Sequence, residues 1–370
     1  MLASSRARGA ALALMVLMAC HDGGPGLEET APAAGAARSA ELGFEASVAL
    51  VATAPDGATS ALYWVDSHAR ELPAPWAVVE HARGAMVRAA LLEGDEPSVA
   101  IVADASTPRD RSFAAALFVA RPDGRVERLI DGVVHASRPL AASDGSIVVS
   151  RGEAGLEGAA GRIDGLSLDA IEPATGRARP LASFSAFTCF VAGELDGEVI
   201  AYVVDEAGAS LVGVALDGRG VRLIAELAPF ARDFTVDELR RAVVFTDRAP
   251  EDPKTWQVLR VDVSSGALEV VHEGPSMVLV PTLLSDGAVA LHDRGSTRVL
   301  GAEPLGVPVP GVLRILGRSA GDRVLAGLAT QEGSLAVPVV LSGDGARSRA
   351  LPSPSGARVT IAGVIERGAP

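Results

Sequence analysis

Residues 138–151 read RPLAASDGSIVVSR. Asp144-Gly145 supplies the positive φ that a tight hairpin turn requires, and Ile147, Val148 and Val149 follow as a short β-branched run. The same kind of run recurs at SVALVATA (47–54), SVAIVADA (98–105), EVIAYVVD (198–205), RAVVFTDR (241–248) and AVALHDR (288–294). Weaker copies are RVLAGLAT (323–330) and RVTIAGVI (358–365). From residue 47 to residue 323, six steps give a mean spacing of 46 residues. That spacing is typical of the repeats that stack as propeller blades.

A second unit follows most of these runs: a strand, a turn containing glycine, and another strand. It is seen in LFVARPDGRVERLI (117–130), LDAIEPATGRARPL (168–181), VGVALDGRGVRLI (212–224), VLRVDVSSGALEVV (258–271) and VPVVLSGDGARSRAL (337–351). Gly124, Gly176, Gly218, Gly266 and Gly345 fall at matching places. Short β-branched strands separated by turn signals predict an all-β chain, with four antiparallel strands per repeat. One such sheet is not stable alone, whereas several stacked radially bury each other's faces. The pattern predicts a single seven-bladed β-propeller, with eight blades as the alternative. RVTIAGVI is placed to complete the blade that SVALVATA begins. FTVDELRRAVVF (234–245) is helical in composition, but the repeat makes Asp237 to Arg240 a turn between two strands. The blade at about 277–304 is short, and its outer strands near STRVLGAEPLGVPVPG are the least defined.

The segment RPLAASDGSIVVSR resembles the Pro-x-x-Ser-x-Asp-Gly-x-x-Ile-x-Phe pattern of TolB-type, WD40-like bacterial propellers. The resemblance covers residues 44–365, and Phe245 keeps the aromatic position of the pattern.

The N-terminus carries a different signal. Arg6 and Arg8 precede an apolar run, Gly9 to Ala19, that is too short to cross a bilayer as a helix. Leu17-Met18-Ala19-Cys20 resembles the lipobox of a bacterial lipoprotein. That resemblance implies cleavage before Cys20 and lipidation of Cys20. His21 follows, not Asp, which favours the outer membrane over the inner membrane. The expected organisation is a signal peptide at 1–19, a flexible Ala/Gly/Pro-rich tether at 20–43 and the propeller at 44–370. Cys189 is then left without a disulfide partner and reads as a small buried strand residue.

The net charge is −13, and loss of Arg6 and Arg8 takes it to −15. This argues against nucleic-acid binding and against a polybasic membrane patch. Aromatic residues make up 4% of the chain, and Trp64, Trp76 and Trp256 are scattered, which weakens a sugar-binding reading.

No catalytic motif survives inspection. GRSAG (317–321) matches the nucleophile elbow, but no histidine follows Ser319, and the repeat places it at a turn. There is no His-Glu-x-x-His and no Asp-x-Asp-x-Asp-Gly loop. His81, His135 and His272 stand at comparable places after outer strands, in loops that can point toward a central channel and there hold a ligand or metal. The plainer reading of the same residues is solvated loop histidines. The long charged loops 105–112, 151–164 and 247–255 are where specificity on a rigid scaffold resides. The expectation is a monomeric, lipid-tethered binding scaffold in the cell envelope, without a cofactor, whose partner is an envelope protein or polymer. A propeller enzyme of the lyase or lactonase kind is the alternative.

Overall fold

The computed structural model describes residues 42–104, 115–134, 137–152, 165–252, 254–275, 279–293, 296–300, 311–331 and 333–367. Apart from one 3-10 turn at Ala320–Asp322, the regular elements among these residues are β-strands, and all of their pairings are antiparallel.

The strands form successive groups along the chain. The first group has the spatial order Arg358–Arg367, Glu45–Thr53, Thr59–Asp66, Ala77–Glu80. The second is Arg88–Leu92, Ser98–Asp104, Ala115–Ala120, Val126–Val133, and the third is Leu140–Ala141, Ile147–Gly152, Leu166–Ile171, Ala178–Phe184. One residue pair, Val133 with Arg151, links these two groups into an eight-stranded sheet. The fourth is Thr188–Leu195, Glu198–Val204, Ala209–Ala215, Val221–Leu227. The fifth is Arg232–Asp237, Ala242–Arg248, Trp256–Asp262, Leu268–Gly274. Thr282–Leu283, Val289–Asp293 and Ser296–Val299 make a three-stranded sheet, and Val312–Arg318, Val324–Thr330, Val337–Ser342 and Ser348–Ala350 make the last.

Side-chain alternation explains how the groups stack. In the second group Ile101, Ala103 and Phe118 face Ala49 and Val51 of the first. Their neighbours Ala100, Val102, Leu117 and Val119 face Ile147, Val149 and Ile171 of the third. Val243 and Phe245 pack on Ile200 and Tyr202 of the fourth group, while Val244 joins Val289 and Leu291 of the three-stranded sheet. Leu284 of that region then packs with Leu325 and Leu341 of the last sheet. Finally Val324, Ala326 and Val340 pack on Val48 and Leu50 of the first group. Each core is shared by two neighbours, and the last group meets the first, so the sheets form a closed ring. Middle strands are buried on both faces, which is why they read as continuous apolar runs: Ala115–Ala120 is buried at every position.

The ring closes through the chain ends, since the strand Glu45–Thr53 pairs with Arg358–Arg367 in the register Glu45 to Arg367 and Thr53 to Arg358. Asp237 ends a strand, its carboxylate accepts from the Arg240 backbone N–H at 3.1 Å, and the next strand starts at Ala242. FTVDELRRAVVF is therefore two strands and a turn. The hairpin glycines adopt the left-handed conformation, with φ of 85° at Gly124 and 72° at Gly266. GRSAG is also a turn: Ser319 is buried, and its Oγ accepts from the Val324 N–H at 3.0 Å.

Candidate functional site

The first strand of each group lies at the ring's axis and the last at its rim. The outer strands are exposed, as in Ala178–Phe184 and Leu268–Gly274. Five inner segments line a partly open cavity of about 300 Å³. Leu91, Leu140, Val191, Ala192, Leu316 and Ala362 give it an apolar wall. The inner strands approach so closely that glycine is required. A Cβ on Gly363 would sit 2.5 Å from the Leu91 Cβ, and one on Gly317 would sit 2.9 Å from the Gly363 Cα.

Arg138 enters this cavity just before the short strand Leu140–Ala141. Pro139 restricts Arg138 to extended backbone. The guanidinium Nε donates to the Ala89 carbonyl at 3.1 Å, and Nη2 donates to the Leu316 carbonyl. It thus reaches from the third group to the inner strands of the second and the last. No carboxylate pairs with it among the described residues. Burial, with the Arg88 guanidinium nearby, pushes its pKa down to about 10.

A second constellation stands where the loop Ala249–Thr255 leaves the fifth group. The Arg248 guanidinium lies 4.3 Å from the Phe230 ring centroid and 5.1 Å from that of Trp256. Arg232 lies 4.6 Å from the Trp256 centroid. These distances are within cation–π range. The loop is tied from within: Ala249 N–H donates to the Thr255 carbonyl at 2.9 Å, and the Asp252 carboxylate accepts from Thr255 Oγ1 at 2.6 Å and from Lys254 N–H at 3.0 Å. Beneath it, the buried Asp247 carboxylate accepts from Ala228 N–H at 3.2 Å and Arg248 N–H at 2.7 Å. Those bonds lower its pKa, but burial outweighs them and raises it to about 6.

The sequence-derived site residues are placed separately. Cys20 and His135 lie outside the described residues, as do the loop 105–112 and most of 151–164. His81 does follow the outer strand Ala77–Glu80, but both ring nitrogens are engaged. The Ala82 carbonyl can only accept, so Nδ1 carries the proton at 3.0 Å, and Nε2 accepts from the Ser60 hydroxyl at 2.8 Å. Thr53 Oγ1 then donates to Ser60 Oγ at 2.9 Å. His272 lies within the rim strand Leu268–Gly274, opposite Val258, and not in the loop expected for it. Neither His81 nor His272 lines the central cavity. Among the described residues no three His, Cys, Asp or Glu side chains are grouped as metal ligands. Cys189 is fully buried on an inner strand, and burial pushes its thiol up to about 12. Sequence reasoning missed Arg138; its only local mark is an arginine held before proline in RPL.

A closed ring of radial, mainly four-stranded antiparallel sheets around an axial cavity is a β-propeller. The chain is similar to the crystal structure of TolB from Acinetobacter baumannii, with 12% identity and a TM-score of 0.51 over 88% of this chain and 68% of that one. It is also similar to a structure from a structural and mechanistic study of two prolyl endopeptidases, at 13% identity and a TM-score of 0.54. That match covers 85% of this chain and 50% of the endopeptidase, so this chain spans about half of it. Likeness at such identities is a likeness of fold. No family model and no curated protein matches the chain. Among the described residues no helix is long and apolar enough to cross a membrane.

Proposed function

We propose that this chain is a lipid-anchored, seven-bladed propeller of the cell envelope that acts as a non-catalytic scaffold and holds an envelope protein or polymer at its loop face. The observation that carries the reading is the hydrogen-bonded set of residues 249, 252, 254 and 255. Its base is fixed by Arg248 against Phe230 and Trp256, and its turn is fixed by Asp252. Loop residues already held by such bonds on a ring of packed sheets lose little conformational entropy when a partner docks. Its exposed Glu251 and Lys254 offer charges of both signs.

The lipobox Leu17-Met18-Ala19-Cys20 supports the anchor, and the stretch 20–43 supplies the tether. Acyl chains hold a protein to a bilayer at about 0.8 kcal/mol per buried CH₂, so a multiply acylated cysteine needs no spanning segment. The site of attachment is the outer membrane.

The test is crosslinking in whole cells of the chain with a C-terminal tag, beside Cys20→Ala and the double variant Glu251→Lys/Lys254→Glu. One stoichiometric partner, lost in the loop variant and reduced in Cys20→Ala, is the expected result. A partner retained at full yield by the loop variant, or none that saturates, overturns the reading. Metabolic acyl labelling of wild type but not Cys20→Ala checks the anchor separately.

A further inference from the structure

Arg138 is the feature of the cavity that packing leaves unexplained. Arg138 is half-buried at the cavity wall, and the backbone carbonyls it meets offer its guanidinium partial charge only. Two of its nitrogens donate to Ala89 and Leu316 carbonyls. Nη1 has no partner among the described residues, and the residue lines the cavity. The other cavity charges do not answer it. Arg318 is paired with Asp322 at 3.0 Å, and Glu93 is exposed. Arg88 adds positive potential. Leu91, Leu140, Val191 and Ala192 give part of the remaining wall an aliphatic face. At about 300 Å³ the space matches the small end of ligand pockets.

We infer that the axial cavity binds a small aliphatic monocarboxylate, its carboxylate held by the free edge of the Arg138 guanidinium and its tail against Leu91, Leu140, Val191 and Ala192. A guanidinium matches a planar carboxylate, and a short aliphatic tail fills the wall that a hydrated inorganic anion would leave unsatisfied. This site is separate from the loop Ala249–Thr255, so each reading stands or falls by itself.

Calorimetric titration of the full chain carrying Cys20→Ala with sodium butyrate, at constant ionic strength against sodium chloride, tests the site. Saturable one-to-one binding is expected, weakened about tenfold or more by Arg138→Gln, the loss of one charge-assisted hydrogen bond. Ala192→Leu fills the cavity and leaves Arg138 in place, so it must also abolish binding; this variant decides the matter if Arg138→Gln does not fold. Binding that never saturates, binding unchanged by Ala192→Leu, or inorganic phosphate binding as tightly as butyrate overturns the proposal.

Discussion

Arg138 and Leu316 stand 178 residues apart in sequence, yet the Arg138 guanidinium donates to the Leu316 carbonyl inside the ring. The same side chain donates to Ala89, so one residue of the third sheet group ties the inner strands of the second and the last. Arg138→Met keeps an unbranched, apolar stem and removes both donors. Two lost charge-assisted bonds are offset in part by relief of an enclosed charge, giving an expected net loss of about 1–2 kcal/mol. Urea denaturation of wild type and variant measures it, and a more stable variant would show that the enclosed charge dominates.

Closure by the chain ends places a large demand on the last strand. Ile361 is fully buried there, within the core shared by the first and last sheets. Ile361→Ala should cost about 2–5 kcal/mol, through lost transfer energy and the cavity left behind. Val221, 48% exposed on a rim strand, serves as the control, and Val221→Ala should stay within about 0.5 kcal/mol. Equal effects would place the stabilising contacts elsewhere.

Asp247 makes stability fall with rising pH. Its pKa is about 6 in the folded chain against an ordinary 3.8, so the folded state holds the proton more tightly. The contribution is fully present below about pH 4 and is lost as pH rises through 6. Other carboxylates, such as Asp252 and Asp262, are shifted down and act in the opposite sense, so the difference between wild type and Asp247→Asn is the quantity to read. Relative to the variant, wild type should lose stability between pH 4 and pH 7; a flat difference would refute the assignment.

Gly266 and Gly197 separate two costs of adding a methyl group. Both have a φ of about 70–75°, but a Cβ on Gly266 would lie 2.3 Å from the Ile224 carbonyl oxygen, while nothing lies within 4 Å at Gly197. Gly197→Ala should cost about 1–2 kcal/mol from backbone strain alone. Gly266→Ala should cost clearly more, since the obstacle is backbone of the neighbouring sheet group. Paired denaturation curves decide this.

Cys189 should be chemically silent. In the full chain carrying Cys20→Ala it is the sole thiol. Its burial and raised pKa predict no reaction with a maleimide at pH 7 in native protein, and one equivalent after unfolding. Rapid native labelling would mean that this inner strand opens.

Features written locally in the chain were legible from the sequence. Asp144-Gly145, Asp196-Gly197 and Asp286-Gly287 mark turns, and their glycines all have positive φ. The apolar runs are the doubly covered middle strands, and the repeat phase placed the turn after Asp237 correctly against its helical composition. What was not legible depends on where the ring brings distant residues. His272 shares its flanking pattern with His81, yet a rim strand that runs on to Gly274 keeps it from the loop. Arg138 meets Leu316 only because the ring closes, and no local pattern encodes that distance.

The pairing of Glu45 with Arg367 also has a temporal consequence. During synthesis the first sheet lacks its innermost strand until Arg358–Arg367 has emerged. Every intermediate before that moment carries an open edge on Glu45–Thr53, a template for pairing with the wrong chain. A chain that stops before Arg358 leaves that edge without its partner strand.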